Sequence, residues 1–269
     1  MSNSAENDSR IGNVTTSAHP KCVICRSRST HIINYNTLHN GIRTPVHECR
    51  DCSHKFCHPL PSKNEVLSWY QGMHYFEANV GHQGISDIKL SSQWDGFINT
   101  RIKAFETHVV PFLSKKQATI IEIGCLEEML LKELSRRGYT AIGLEANAAV
   151  ALYSRAVNGV DIRVCNIEDK GAILQADAIL SFHTFEHLRD PRSATAEAFQ
   201  MLHPGGVLLL EIPCDDDEMN NPDHFHFFNE PSLRKMMSSF FPKVKIVPNS
   251  YKRNGLYEIG SLYAIGIKS

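Results

Sequence analysis

The chain has 269 residues, enough to bury a sizeable core, and its 28 basic and 29 acidic residues leave a formal charge of −1. Near-neutrality removes any global pull toward phosphate backbones or anionic lipid, so a nucleic-acid partner is not expected. No apolar run approaches the roughly 20 residues that span a bilayer as a helix, so no membrane association is expected either.

Residues 1–20 are polar, with neither the apolar core of a secretory signal nor the Arg-rich amphipathic character of a transit peptide, and read as a disordered tail. Of eight cysteines, four fall into two CxxC pairs and the rest are scattered, which fits reduced thiols in a cytoplasmic protein. Cys22-Val-Ile-Cys25 and Cys49-Arg-Asp-Cys52 have the spacing by which two hairpin knuckles present four thiolates to zinc. Four thiolates leave no open coordination position, so the expected ion is structural, and it supplies folding energy that the short turns and strands of residues 21–60 lack. His54, Cys57 and His58 follow closely and are read as packing or surface residues rather than ligands.

Residues 61–112 form an aromatic and helical linker or lid. Trp69, Tyr70, Tyr75 and Phe76 are expected to pack the ribbon onto the main domain, with Tyr70 or Tyr75 as the alternative reach over a pocket. The spacing Trp94, Phe97, Ile98, Ile102, Phe105, Val109 is helical.

From residue 113 to 269 short β-type runs alternate with helical patterns: ATIIEIG, EEMLLKELSRRG, TAIGLEA, AAVALYSRAV, DIRVCN, ADAILSFH, PRSATAEAFQML, GVLLLEI, PSLRKMMSSF, KVKIVPN, SLYAIGIK. That alternation predicts an α/β fold, a Rossmann-like doubly wound sheet with helices on both faces. Ligands in such sheets bind beyond the carboxyl ends of the strands, where the winding reverses. Glu122 and Gly124 close the first strand of this region, and Glu145 closes the second about 20 residues on, placing a carboxylate for a ribose diol. On these residues alone NAD and S-adenosylmethionine both remain open. Pro204-Gly205-Gly206 reads as the turn before the fifth strand.

Phe182-His-Thr-Phe-Glu-His-Leu-Arg-Asp-Pro191, Leu202-His-Pro-Gly-Gly-Val207 and Asp223-His-Phe-His-Phe-Phe-Asn-Glu-Pro-Ser-Leu233 follow in order. Together with a cysteine ribbon ending Cys49-Arg-Asp-Cys52-Ser-His54, they resemble class I S-adenosylmethionine-dependent methyltransferases. The resemblance is to the zinc-ribbon subfamily that contains sugar C-methyltransferases and natural-product enzymes, and it covers about residues 21–269. It implies that Glu122, Gly124 and Leu126 form the cofactor turn, that Glu145 holds the ribose, and that Asn166-Ile167-Glu168 lies beside the adenine. His183 is placed near the methionine moiety, Glu186 and His187 match a Glu-His pair, and Asp223-His224 matches an acidic-His pair that supplies a base. His224 is the leading candidate base, and His226 the second, because alternation along an extended segment puts both on one face.

The family turn carries three glycines; here it runs Glu122-Ile-Gly124-Cys-Leu126-Glu-Glu128. One reading keeps the turn in ordinary dihedral space with Leu126 pointing away, Met129, Leu130 and Leu134 continuing a helical stripe, and Glu127 and Glu128 at the positive end of the helix dipole. The other reading fills the pocket with Leu126 and leaves a scaffold, a regulatory partner or a site for other chemistry on the sulfonium. The expectation is retained cofactor binding and methyl transfer to a small-molecule acceptor such as a sugar, amino acid or natural-product intermediate. An RNA methyltransferase is the rival, on the ribbon's Lys21, Arg26, Arg28, Arg43, Arg50 and Lys55, diluted by Glu48 and Asp51.

Overall fold

The computed structural model describes residues 19–72, 92–125, 129–169, 171, 174–214, 219–253 and 257–269. The expected tail as far as residue 18, Tyr75, Phe76, and the turn residues Leu126, Glu127 and Glu128 lie outside the described residues, as do the side chains of Trp94 and Phe97.

Two sheets organise the described residues. The N-terminal one contains β1 (Thr30–Thr37), β2 (Arg43–Cys49) and β3 (Lys55–Cys57), all antiparallel. Helix α1 (Lys63–Gln71) follows, started by a capping box between Ser62 and Glu65 that satisfies two otherwise orphaned backbone N–H groups. Helix α2 (Ser92–His108) leads into the second sheet and buries Ile98, Ile102 and Phe105, with Val109 just beyond its end, as the periodicity predicts.

The second sheet is built from β4 (Thr119–Ile123), β5 (Thr140–Glu145), β6 (Asp161–Val164), β7 (Ala176–Phe182), β8 (Leu202–Pro213), β10 (Lys243–Arg253) and β11 (Tyr257–Ile267). Its order is β10-β11-β8-β7-β4-β5-β6, parallel from β8 through β6, with β11 antiparallel to both neighbours. Helices α3 (Met129–Arg136), α4 (Ala148–Asn158), α5 (Pro191–Met201) and α6 (Glu230–Met237) connect the strands. Asn147, Asp190 and Asn229 each cap a helix by accepting a backbone N–H, as short polar side chains at those positions do. Central strands such as β4 are buried on both faces and accordingly read as continuous apolar runs. The α/β class and the doubly wound order agree with the alternation in the sequence.

The winding reverses at β4: β5 and β6 extend the sheet to one side, and β7 and β8 to the other. The crevice of a doubly wound sheet therefore falls at the carboxyl ends of β4 and β7.

One feature departs from simple expectation. Pro204-Gly205-Gly206 lies inside β8 rather than ahead of it: the N–H of Gly205 donates to the Lys268 carbonyl at 2.8 Å, and the N–H of Lys268 donates back to Gly206 at 2.9 Å. The pairing of β7 with β8 shifts register opposite this stretch, between Ala176 and Ala178, and Gly205 takes φ of 81° there. The N-terminal sheet also takes a strand from the C-terminal half. A two-residue strand, β9 (His226–Phe227), pairs antiparallel with β3, matching Lys55 to Phe227 and Phe56 to His226, so the N-terminal sheet closes on the C-terminal half. Cys22, Ile24, Cys49, Cys52 and Phe56 share one apolar cluster with Ala194, Met201, Leu233 and the sheet residues Ile121 and Ile179.

Candidate active site

At the end of β4, Gly124 adopts φ of 71°, a region that costs other residues roughly 1–2 kcal/mol. A Cβ there would fall 2.3 Å from Thr184 Oγ1, so the position also needs glycine for space. Ser181 donates its hydroxyl to the Ile123 carbonyl at 3.1 Å, and Thr184 reaches the same carbonyl at 3.4 Å. These contacts lock the end of β7 against the end of β4, where the sheet splits.

Two acids line the β4–β5 side. Glu122 is 1% exposed, neither carboxylate oxygen has a hydrogen-bond partner, and Arg101 of α2 approaches Oε1 at 3.6 Å. Burial pushes its carboxyl up to about 7 against the pull of Arg101. Glu145 is likewise buried and pushed up to about 7, while its Oε1 accepts the Asn147 N–H at 2.8 Å. A carboxylate at this place suits a ribose diol. In the loop after β6, Asn166 Oδ1 accepts the Glu168 N–H, Ile167 is buried, and Glu168 accepts the Asp190 N–H at 2.7 Å. Glu168 thus anchors the start of α5.

On the other side, a short 3-10 turn at Phe185–His187 follows His183, whose φ of 52° is unusual for a side-chain-bearing residue. Glu186 is 1% exposed and is surrounded by imidazoles: its Oε1 lies 3.7 Å from His183 Nδ1 and 3.7 Å from His187 Nε2. His183 Nε2 lies 3.6 Å from Glu211 on β8, whose Oε1 also accepts from Asn249 at 2.9 Å and Ser261 at 3.0 Å. Burial opposes the charged form of His183, but the two carboxylates outweigh it and push the group up to about 9. The same attraction overcomes burial at Glu186 and pulls it down to about 2.

His187 donates from Nδ1 to the Asp223 carbonyl at 2.9 Å, which fixes its ring, and packs edge-on against His224 with centroids 4.8 Å apart. The side-chain nitrogen of Asn221 lies 3.2 Å from His224 Nε2. His39, in the turn between β1 and β2, contacts the Asp223 carboxylate and stacks on Trp69 at 3.8 Å, and Tyr70 sits edge-on to His187. The ribbon and α1 therefore form one wall of the site.

His183, Glu186, His187 and His224 come together as the sequence suggests. His226 does not join them: its Nδ1 meets His54 Nε2 at 3.1 Å in the fully buried seam between β3 and β9. Sequence reasoning missed Arg101, Thr184 and Glu211. Of these, Glu211 carries a visible signal, a single acid at the end of the apolar run GVLLLEI.

The four cysteines also converge. The thiol sulfurs of Cys22 and Cys52 are 3.7 Å apart, those of Cys25 and Cys49 are 3.4 Å apart, and all four lie within 4.8 Å of one another. Four thiolates at roughly 2.3 Å from a central ion are separated by about 3.8 Å, so the set matches a tetrahedral site. Arg26 and Ser53, each immediately after the second cysteine of its pair, take φ of 69° and 59° and turn the chain back, and the N–H groups of Arg26 and Ser53 donate to the carbonyls of Cys22 and Cys49.

Comparisons with known proteins agree with this layout. The family described as "Methyltransferase domain" matches residues 97–240, more than half of the chain. A curated protein of Mycolicibacterium smegmatis, named "Probable S-adenosylmethionine-dependent methyltransferase", is 28% identical over 151 residues, 52% of this chain and 58% of the relative, so the chain spans less than two thirds of that relative. Among solved structures, Burkholderia thailandensis 1,6-didemethyltoxoflavin-N1-methyltransferase superposes with a TM-score of 0.57 at 13% identity, covering 82% of this chain and 97% of that one. An S-adenosylmethionine-dependent methyltransferase of Archaeoglobus fulgidus gives 0.53 at 14% identity, over 64% and 94%. The chain belongs to the methyltransferase-domain family and has the class I fold.

Proposed function

We propose that the protein transfers a methyl group from S-adenosylmethionine to a small-molecule acceptor. The observation that carries this reading is the pairing of Gly124 and Glu145 at the switch point with the Glu186–His187–His224 cluster across it. When bound, the cofactor supplies an electrophilic methyl group on a sulfonium. Glu145 would take the ribose hydroxyls, and the backbone at Gly124 allows close approach. Across the crevice, Asp223 fixes the His187 ring, Glu186 stabilises positive charge on the imidazoles, and His224 takes the acceptor's proton. Most of the acceleration comes from holding the reactants in line, so one base suffices.

The cysteine cluster fits a structural zinc held by Cys22, Cys25, Cys49 and Cys52, closed to further ligands. Its role here is to fix β3, and through β3 the segment that carries His224. The His224→Ala variant tests the base: turnover of a methylated acceptor should fall about 100-fold or more while S-adenosylhomocysteine affinity stays within a factor of two. Turnover at the parental level would remove His224 from this role.

A further inference from the structure

Asn221 opens the turn that presents His224, and both ends of its side-chain amide are engaged. Its Oδ1 accepts the Asp223 N–H at 3.0 Å, and its Nδ2 lies 3.2 Å from His224 Nε2. The Asp223 N–H settles which end of the amide is the oxygen, so the end that meets the imidazole is the donor. Nε2 therefore offers its lone pair, and the neutral ring carries its proton on Nδ1. Asn221 is itself held in place: its carbonyl accepts the His224 N–H at 3.2 Å and the side-chain amide of Asn36 at 2.8 Å. Asn36 belongs to β1, is 3% exposed, and also reaches the His224 carbonyl at 3.5 Å, so the N-terminal sheet clamps the turn. The other groups around His224 are committed differently. Asp223 gives its carbonyl to His187 and its carboxylate to His39, and the Cys57 thiol of β3 points at the His224 carbonyl rather than the ring. Glu186 favours a charged ring, while burial and the neighbouring His187 oppose one.

We infer that Asn221 is a positioning residue for the proposed base: its amide holds His224 in the Nδ1–H form, makes Nε2 the nitrogen that takes the acceptor's proton, and gives up that nitrogen when the acceptor docks. This deepens the proposed function and rests on it for the chemistry. A hydrogen bond donated to the lone pair stabilises the neutral ring, so before the acceptor arrives Asn221 offsets the pull of Glu186 and keeps the base unprotonated. The acceptor then replaces the amide at Nε2 and passes its proton there. The electron pair freed on the acceptor forms the new bond to the methyl carbon, and the pair of the breaking carbon–sulfur bond stays on sulfur, giving the neutral thioether. The imidazolium, stabilised by Glu186, releases its proton to solvent after the product leaves, and the bond from Asn221 forms again.

The test is nitrogen-15 NMR of the full, zinc-loaded chain with labelled histidine, the His224 signals being identified by their loss in His224→Ala. In the parent at a pH of about 8, above the ordinary histidine range, His224 should show a protonated Nδ1 and an unprotonated Nε2. A proton on Nε2 there would overturn the inference, whatever the variants do. Asn221→Asp keeps an oxygen for the Asp223 N–H and turns an acceptor toward Nε2, so the neutral ring should switch to the Nε2–H form and titrate more than about 1 pH unit higher than in the parent. Asn221→Ala should titrate about 0.5–1 pH unit higher, the scale of one hydrogen bond to the neutral ring. An unchanged tautomer in Asn221→Asp with unchanged titration in both variants, at parental circular dichroism, would overturn the inference, because a residue that only supported the turn would move neither. The two readings separate cleanly. An Nδ1–H ring with parental turnover in His224→Ala defeats the base and leaves the hydrogen bond, whereas an Nε2–H ring with His224→Ala inactive defeats this inference alone.

Discussion

His54 Nε2 and His226 Nδ1 meet at 3.1 Å in a fully buried seam, joining the residue two beyond Cys52 to the strand residue two beyond His224. Asn229 reinforces the seam by donating its side-chain amide to the Ser53 carbonyl at 2.8 Å, and the Cys57 N–H donates to the Phe225 carbonyl at 2.9 Å. Both imidazoles are held in the neutral form, burial pushing His54 well down and His226 to about 4.

Removal of the proposed zinc should therefore reach the candidate site. In Cys52→Ser, or after chelation, amide exchange at His226 and Phe227 should accelerate 10-fold or more, because among the described residues β9 pairs in that sheet with β3. Unchanged protection there, with the cysteine site demonstrably empty, would separate the ribbon from the segment that carries His224.

Gly124→Ala should destabilise the fold by about 2 kcal/mol or more, since it adds the left-handed backbone penalty to a collision with Thr184. The double variant with Thr184→Ala removes the nearest colliding atoms and should recover part of that loss but not the backbone share. Chemical denaturation of the four proteins measures both. Full recovery would mean the φ of 71° costs nothing.

Glu122 gives a pH dependence of known sign. Its folded value of about 7 lies above the ordinary carboxylate range, so the folded state holds the proton more tightly. Its contribution is favourable at low pH and declines as pH rises from about 4.3 to 7, then levels off. Glu122→Gln should remove this decline, gaining on the order of 2–3 kcal/mol relative to the parent between pH 4.5 and 8. Some slope will remain from Glu145, which is raised in the same direction. Parallel stability curves for the two proteins would contradict the assignment.

The strands and helices of the second sheet were legible because their apolar periods are long enough to read: β4 is a buried run and α2 an amphipathic one. The convergence of the four cysteines was legible because CxxC spacing is local. β9 was not, since two residues carry no period and its partner lies far away in sequence. The expectation that His224 and His226 share a face assumed unbroken extension through both. Instead His224 precedes the strand in a bend held by Asn221, whose carbonyl accepts the His224 N–H at 3.2 Å and whose side chain accepts the Asp223 N–H at 3.0 Å. The bend resets the alternation. Arg101 was hidden because its partner Glu122 lies on another element; the acid at position 211 stands out in its apolar run, but its pairing with His183 does not.

The central claim is tested most directly by calorimetric titration of the zinc-loaded chain, alongside Glu145→Ala, with S-adenosylmethionine and S-adenosylhomocysteine. The account predicts one-site binding in the micromolar range for the parent and at least 10-fold weaker binding for the variant, the scale of a lost hydrogen bond to a charged group. No binding by the parent up to millimolar ligand would contradict it and favour a scaffold on a methyltransferase fold.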